Sequence, residues 1–269
     1  MTKANDILEI LLAMQDEGQA RHLSRFFKTG KGEYGEGDRF LGLRVPQVRA
    51  VVKEARGNTP LAEVEELLRS PWHEVRLCGF LLLVEEMKTA LPKRGQDTEE
   101  QALRRLAVAD FYLRHARLAN NWDLVDSSAP GVLGLWLLHP LPGGGLPDRT
   151  VLDRLAASAN LWEQRIAIVS TLALIRVAEF GDTLRIARLL LPHPHDLIHK
   201  AVGWMLREVG KRDLVTLRRF LAEEVGHMPR TALRYAIERM GEEEWQRWMK
   251  APALGKGGVA RLNRVSYDA

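Results

Sequence analysis

One pattern limits the fold of this chain more than any other: an apolar residue every three or four positions, interrupted at intervals by proline and glycine. Leu, Val and Ile keep that spacing through residues 7–14, 61–68, 75–87, 103–118, 152–159, 166–177, 184–191, 197–209 and 214–224, which lines one face of an α-helix each time. The alternation that marks a half-buried strand is nearly absent. Breaks fall at Gly57-Asn58-Thr59-Pro60, Ser70-Pro71, residues 92–96, Pro140-Leu141-Pro142-Gly143-Gly144-Gly145, Pro192-His193-Pro194 and His227-Met228-Pro229. They divide the chain into helix pairs.

Several second helices of these pairs open alike, at Pro71-Trp72-His73-Glu74-Val75-Arg76, Leu161-Trp162-Glu163-Gln164-Arg165-Ile166, Asp196-Leu197-Ile198-His199-Lys200-Ala201 and Met228-Pro229-Arg230-Thr231-Ala232-Leu233. Each has a helix-start signal, a polar or charged residue about one turn in, then small and apolar residues. Recurrence at roughly thirty to fifty residues is the signature of degenerate HEAT-type repeats. The expected fold is all-α, a HEAT-like repeat α-solenoid whose stacked pairs form a concave face. A generic helical bundle is the alternative that the same pattern allows. A chain of 269 residues that is 46% hydrophobic can bury a sizeable core unaided. One repeat domain is expected over residues 1–250, followed by a flexible basic tail over 251–269.

A net charge of +4 and a pI near 9.3 permit nucleic-acid binding if the cations gather on the concave face, without establishing it. The single cysteine, Cys78, lies in the apolar stretch 75–84 and reads as a small buried hydrophobe in a reducing compartment. Residues 1–6 carry no secretory pattern, and no apolar run approaches the ~18 residues of a membrane span. A soluble, cytoplasmic protein without membrane contact is expected.

One region departs from the helical pattern. Residues 28–40 hold four glycines among polar and aromatic residues, which predicts an extended loop or short hairpin. Pro46 then suits the first turn of the next helix. The loop has no Gly-Lys-Ser/Thr ending and no preceding strand, so it is not a nucleotide-phosphate loop. Residues 140–147 read as a flexible connection between halves or between repeats.

The residue types able to do chemistry cluster around Asn120-Asn121-Trp122-Asp123-Leu124-Val125-Asp126. On a helix, Trp122 and Asp126 share one face. Trp162 with Arg165, and Trp204 with Arg207, repeat an aromatic and cationic pairing at a spacing of three. Together they suit a polyanion carrying a cationic lesion. Asp126 has a second reading as the cap of a helix over residues 131–138, a role open to Asp123 as well. His193, His195 and His199 lack a further acid or cysteine at ligand spacing, so no metal is expected. No nucleophile elbow or comparable hydrolase motif is present.

Phe26-Phe27-Lys28-Thr29-Gly30, then Phe40-Leu41-Gly42-Leu43-Arg44-Val45-Pro46, Asn121-Trp122-Asp123-Leu124-Val125-Asp126, Trp162-Glu163-Gln164-Arg165 and Gly203-Trp204-Met205-Leu206-Arg207-Glu208 stand in an order that resembles the bacterial DNA alkylation repair family of HEAT-like DNA glycosylases. The resemblance spans residues 23–240. It implies a solenoid that wraps double-stranded DNA and releases N3- and N7-alkylated purines without a cofactor. It also implies that Asp126 is the catalytic acid, Trp122 and Trp204 are lesion-pocket aromatics, and Arg165 and Arg207 are DNA contacts. Trp162, Lys200, Lys28, Lys31, Tyr34 and Phe26 complete the expected DNA-facing set, in a monomer. The sequence departs from the family twice. Phe26 stands where glycosylases of the family can carry tyrosine, and the glycine-rich insertion is a feature of relatives that bind branched or distorted DNA. The alternative expectation is thus structure-selective DNA binding through Tyr34, with a protein scaffold as a third.

Overall fold

The computed structural model describes residues 2–92 and 96–252. The expected tail lies outside them from residue 253 onward. Among the described residues the regular elements are all helical: α1 (Ala4–Ala13), α2 (Glu17–Phe26), α3 (Val45–Ala55), α4 (Leu61–Leu68), α5 (His73–Thr89), α6 (Glu99–Arg114), α7 (Trp122–Ser128), α8 (Thr150–Ala156), α9 (Leu161–Ser170), α10 (Leu172–Arg176), α11 (Gly181–Leu190), α12 (Asp196–Arg212), α13 (Leu214–Glu224), α14 (Arg230–Ile237) and α15 (Glu242–Met249). A π-helical turn, Pro130–Gly134, follows α7. An isolated parallel bridge joins Arg39 to Trp72.

The helices stack in two rows, the α-solenoid arrangement. α5, α7, α9, α12 and α14 pack successively on one another, while α4, α8 and α11 back α5, α9 and α12 in turn. Small residues set the approach distances. A Cβ on Gly203 of α12 would stand 2.4 Å from the Ala232 carbonyl of α14, and one on Gly134 equally close to the Ser170 carbonyl. The core runs unbroken along the interface between the rows, from Ile7 to Trp248. Cys78 lies fully buried within it, and burial pushes its thiol up to about 12.

Two predicted boundaries shift. The expected single helix over 166–177 is two, α9 and α10, and the one over 131–138 is replaced by the π-helical turn. α2 was not foreseen: its apolar residues are few, Ala20, Leu23 and Phe26, and none of its residues is buried, so its stripe is too short for spacing to detect. Residues 28–40 form consecutive turns, not a β-hairpin. Gly30 N–H and Gly32 N–H donate to the carboxylates of Glu33 and Glu36, which satisfies the backbone locally and removes the need for a strand partner. Residues 140–147 close on themselves through Leu141 N–H to Gly145 O at 2.8 Å. The fully buried Arg105 anchors their start by donating to Pro140 O at 3.0 Å and to both oxygens of Asp97.

Candidate active site

The inner row presents the chemistry. Asn121 caps α7 by accepting the Trp122 N–H at 2.9 Å, and the helix continues past Asp126 to Ser128. Asp126 therefore sits inside a helix and caps nothing, which removes its structural alternative. Asp123 accepts the adjacent Leu124 N–H through Oδ1 at 2.9 Å.

Both oxygens of Asp126 face Arg165 on α9. Nε donates to Oδ1 and Nη2 to Oδ2, each at 2.8 Å, and Nη1 donates to Leu197 O of α12 at 2.5 Å. The guanidinium thus ties three inner helices with its planar fork. Arg165 is 5% exposed, whereas the Asp126 side chain keeps 19%. Burial raises the Asp126 pKa above the usual carboxylate value, Arg165 pulls it back down, and the charge of Asp123 pushes it up again. The net result is a carboxylate harder to ionise than a surface one.

Asp126 opens onto a cleft of about 710 Å³ that Trp122, Trp204, Phe26, Tyr34 and Tyr235 line with aromatic rings. Lys200, Trp204 and Arg207 reach it from one face of α12, at the helical spacing seen in the sequence. Lys28 completes the cationic lining. Phe26 is 57% exposed at the end of α2, and its ring meets Trp122 edge-on at 6.1 Å. Tyr34 meets Trp162 edge-on at 6.3 Å, so the tyrosine is drawn into the cleft instead of standing at a free loop tip. Trp162 is buried behind it, and Lys31 is exposed outside the cleft.

The two arginines expected to hold phosphate are engaged with protein. Arg165 has its three donor arms satisfied as described, and Arg207 pairs with Glu238 and approaches Glu208. Lys200 pairs with Asp196 at 2.8 Å. Nδ1 of His193 accepts the His195 N–H, and Nδ1 of His195 accepts the Leu197 N–H at the start of α12. Burial lowers the pKa of both rings.

Sequence reasoning missed Tyr235 and the support behind α7, and it weighed His195 only as a metal ligand, not as part of the cleft. His73 lies between two carboxylates, Nδ1 at 2.7 Å from Asp38 Oδ2 and Nε2 at 2.8 Å from Asp123 Oδ2. Glu74 accepts three backbone N–H groups, from Leu41, Gly42 and Leu43, at 2.8–3.0 Å. Arg76 pairs with Asp38 and donates to Ser70 O. The readable signal was a charged first turn, His73-Glu74-Val75-Arg76, on a helix whose continuation is nearly all apolar. Such a helix is buried all round, so its polar opening must find partners inside the protein.

Residues 7–240 match the family described as DNA alkylation repair enzyme. The chain belongs to this family. No curated protein matches it. Among solved structures, the fold of this DNA alkylation repair family member resembles a predicted DNA alkylation repair enzyme from Enterococcus faecalis, with a TM-score of 0.61 and 19% identity over 85% of this chain and 97% of that one. At that identity the likeness speaks to the fold. Family membership gives the chain a role in DNA repair, with DNA as its substrate. No described helix is long and apolar enough to cross a membrane.

Proposed function

We propose that this chain is a DNA glycosylase that hydrolyses the N-glycosidic bond of N3- and N7-alkylated purines in duplex DNA. One observation carries the reading: a carboxylate fixed by a bidentate arginine opens onto an aromatic cleft. An N-alkylated purine is cationic, and the faces of Trp122 and Trp204 attract cations. As the C1′–N bond breaks, its electron pair neutralises the departing base and positive charge develops on the sugar. The Asp126 carboxylate stabilises that charge or orients the water that attacks C1′, taking the proton that water loses. Arg165 is the positioning residue for that carboxylate. Because its fork is occupied, Asp126 is held in one orientation before substrate arrives.

Structure-selective DNA binding without excision is the second reading, and Tyr34 of the glycine-rich turns favours it by lining the same cleft. One assay separates them. Methylated duplex DNA incubated with the protein should yield free 7-methylguanine and 3-methyladenine. No release, together with tight binding to junction DNA, would overturn the glycosylase reading in favour of the second.

A further inference from the structure

Behind the cleft, three residues far apart in sequence meet at the start of α7. His73 is 2% exposed, and each of its ring nitrogens faces a carboxylate oxygen, 2.7 Å from Asp38 and 2.8 Å from Asp123. A neutral imidazole has one nitrogen without a proton, and that lone pair would point at an anion. Both nitrogens therefore carry protons, and the ring is an imidazolium. Phe40 stacks on the ring at 4.5 Å and Phe27 packs beside it, tilted, at 5.1 Å, the two phenyl rings standing 5.0 Å apart. Phe27 stacks in turn on Trp122 at 5.2 Å. Asn121, the cap of α7, donates to the same Asp38 at 3.3 Å.

We propose that His73 is a positioning residue of the excision site, which it serves by neutralising Asp123 one turn before Asp126 and by bracing, through Phe27, the ring of Trp122. The inference rests on the glycosylase reading and deepens it. Asp123 and Asp126 stand three apart on α7, so their charges repel along one face. An imidazolium on Asp123 cancels most of that repulsion at the carboxylate that must be ionised. His73, Asp123 and Asp126 also line one small cavity of about 350 Å³, which shares Phe26, Trp122 and Asp126 with the main cleft. The charged groups around His73 are few. Asp38 comes from the loop and Asp123 from α7; Glu74 and Arg76 come from its own helix, with Glu74 turned to the 41–43 amides and Arg76 to Asp38. Arg44, at the cap of α3, lines the same cavity, to which α2 contributes the uncharged Gln19, Leu23 and Phe26.

A buried ion pair that merely held the fold would not tune Asp126, and that difference is measurable. The carboxyl carbon of Asp126 is titrated by NMR in the full chain and in D123N, H73Q and the double variant, alongside single-turnover release of 7-methylguanine across pH. Removing the Asp123 charge should lower the Asp126 midpoint. Removing the His73 charge should raise it and slow release about tenfold or more at neutral pH. The double variant should return close to the parent midpoint, and the acid limb of release should move with the titration. Should H73Q fail to fold, D123N decides alone, since it leaves the stack of rings in place. An Asp126 midpoint that stays put in every folded variant overturns the inference. Midpoints that move in a chain that excises nothing overturn instead the reaction on which it rests.

Discussion

Asp126 and Arg165 define the chemistry at the scale of single residues. Burial holds the Asp126 pKa above the usual carboxylate value despite the guanidinium beside it. If the ionised form is the active one, excision is lost as pH falls through that raised pKa. The acid limb of the rate profile should therefore lie above ~3.9, where an unperturbed aspartate titrates. Arg165→Met should move the limb further up, since it deletes the cation that favours ionisation. It should also destabilise the fold by about 1–3 kcal/mol, because a mostly buried carboxylate loses its partner. A pH–rate profile and a denaturant melt check the two effects. The sequence showed that Trp122 and Asp126 share a face, because helical spacing is local information. It did not show that Arg165 belongs to Asp126 and not to phosphate, because pairing across 39 positions depends on how α7 and α9 pack. His73 was hidden for the same reason, with partners 35 and 50 residues away.

At the scale of elements, the site depends on the polar first turn of α5 gripping the loop before α3. Glu74 holds the amides of Leu41, Gly42 and Leu43, which keeps Phe40 against His73 and, through Phe27, the rings against α7. Gly42 is obligatory there, with φ of 90° and a would-be Cβ 2.0 Å from the Asp16 carbonyl. Gly42→Ala should cost more than about 2 kcal/mol, read as a lower melting temperature. A second prediction concerns alkaline pH. Burial works against charging His73, but Asp123 and Asp38 outweigh it and raise its pKa to about 9. Its contribution to stability is complete below the unfolded value near 6.5 and fades as pH rises through 9. The unfolding free energy followed from pH 6 to 10 should fall by up to roughly 3 kcal/mol, and His73→Gln should flatten the decline. These devices were illegible in part because α5 is apolar nearly all round. Its period marks a helix without marking which face meets the loop.

Across the whole molecule, cations divide by partner. Arg56, Arg69, Arg104 and Arg105 in the N-terminal half pair with carboxylates, as do Arg149, Arg185, Arg188, Arg207 and Arg218 in the C-terminal half. Arg21, Arg25, Arg39, Arg44 and Arg49 are exposed and form none of the ion pairs found among the described residues. If DNA is gripped electrostatically, the free set should release counterions on binding. Arg44→Ala should reduce the salt slope of DNA affinity by about one, while Arg185→Ala leaves it unchanged. Fluorescence anisotropy over a range of salt concentrations checks this, and equal slopes would exclude the α2–α3 region from the interface. Net charge alone did not reveal the division, since it sums over pairs that cancel. The stacked helix pairs were legible, because proline and glycine breaks and a 3.6-residue period survive in sequence when repeats have diverged.

The central claim is that Asp126 makes the cleft an excision site and not merely a binding site. Single-turnover release of 7-methylguanine from a duplex bearing one lesion, measured with binding to the same duplex, tests it in parent and Asp126→Asn. The account predicts release roughly a hundredfold or more slower in the variant, with binding as tight or tighter, because a negative charge near phosphate is gone. Equal release by the two proteins would contradict it.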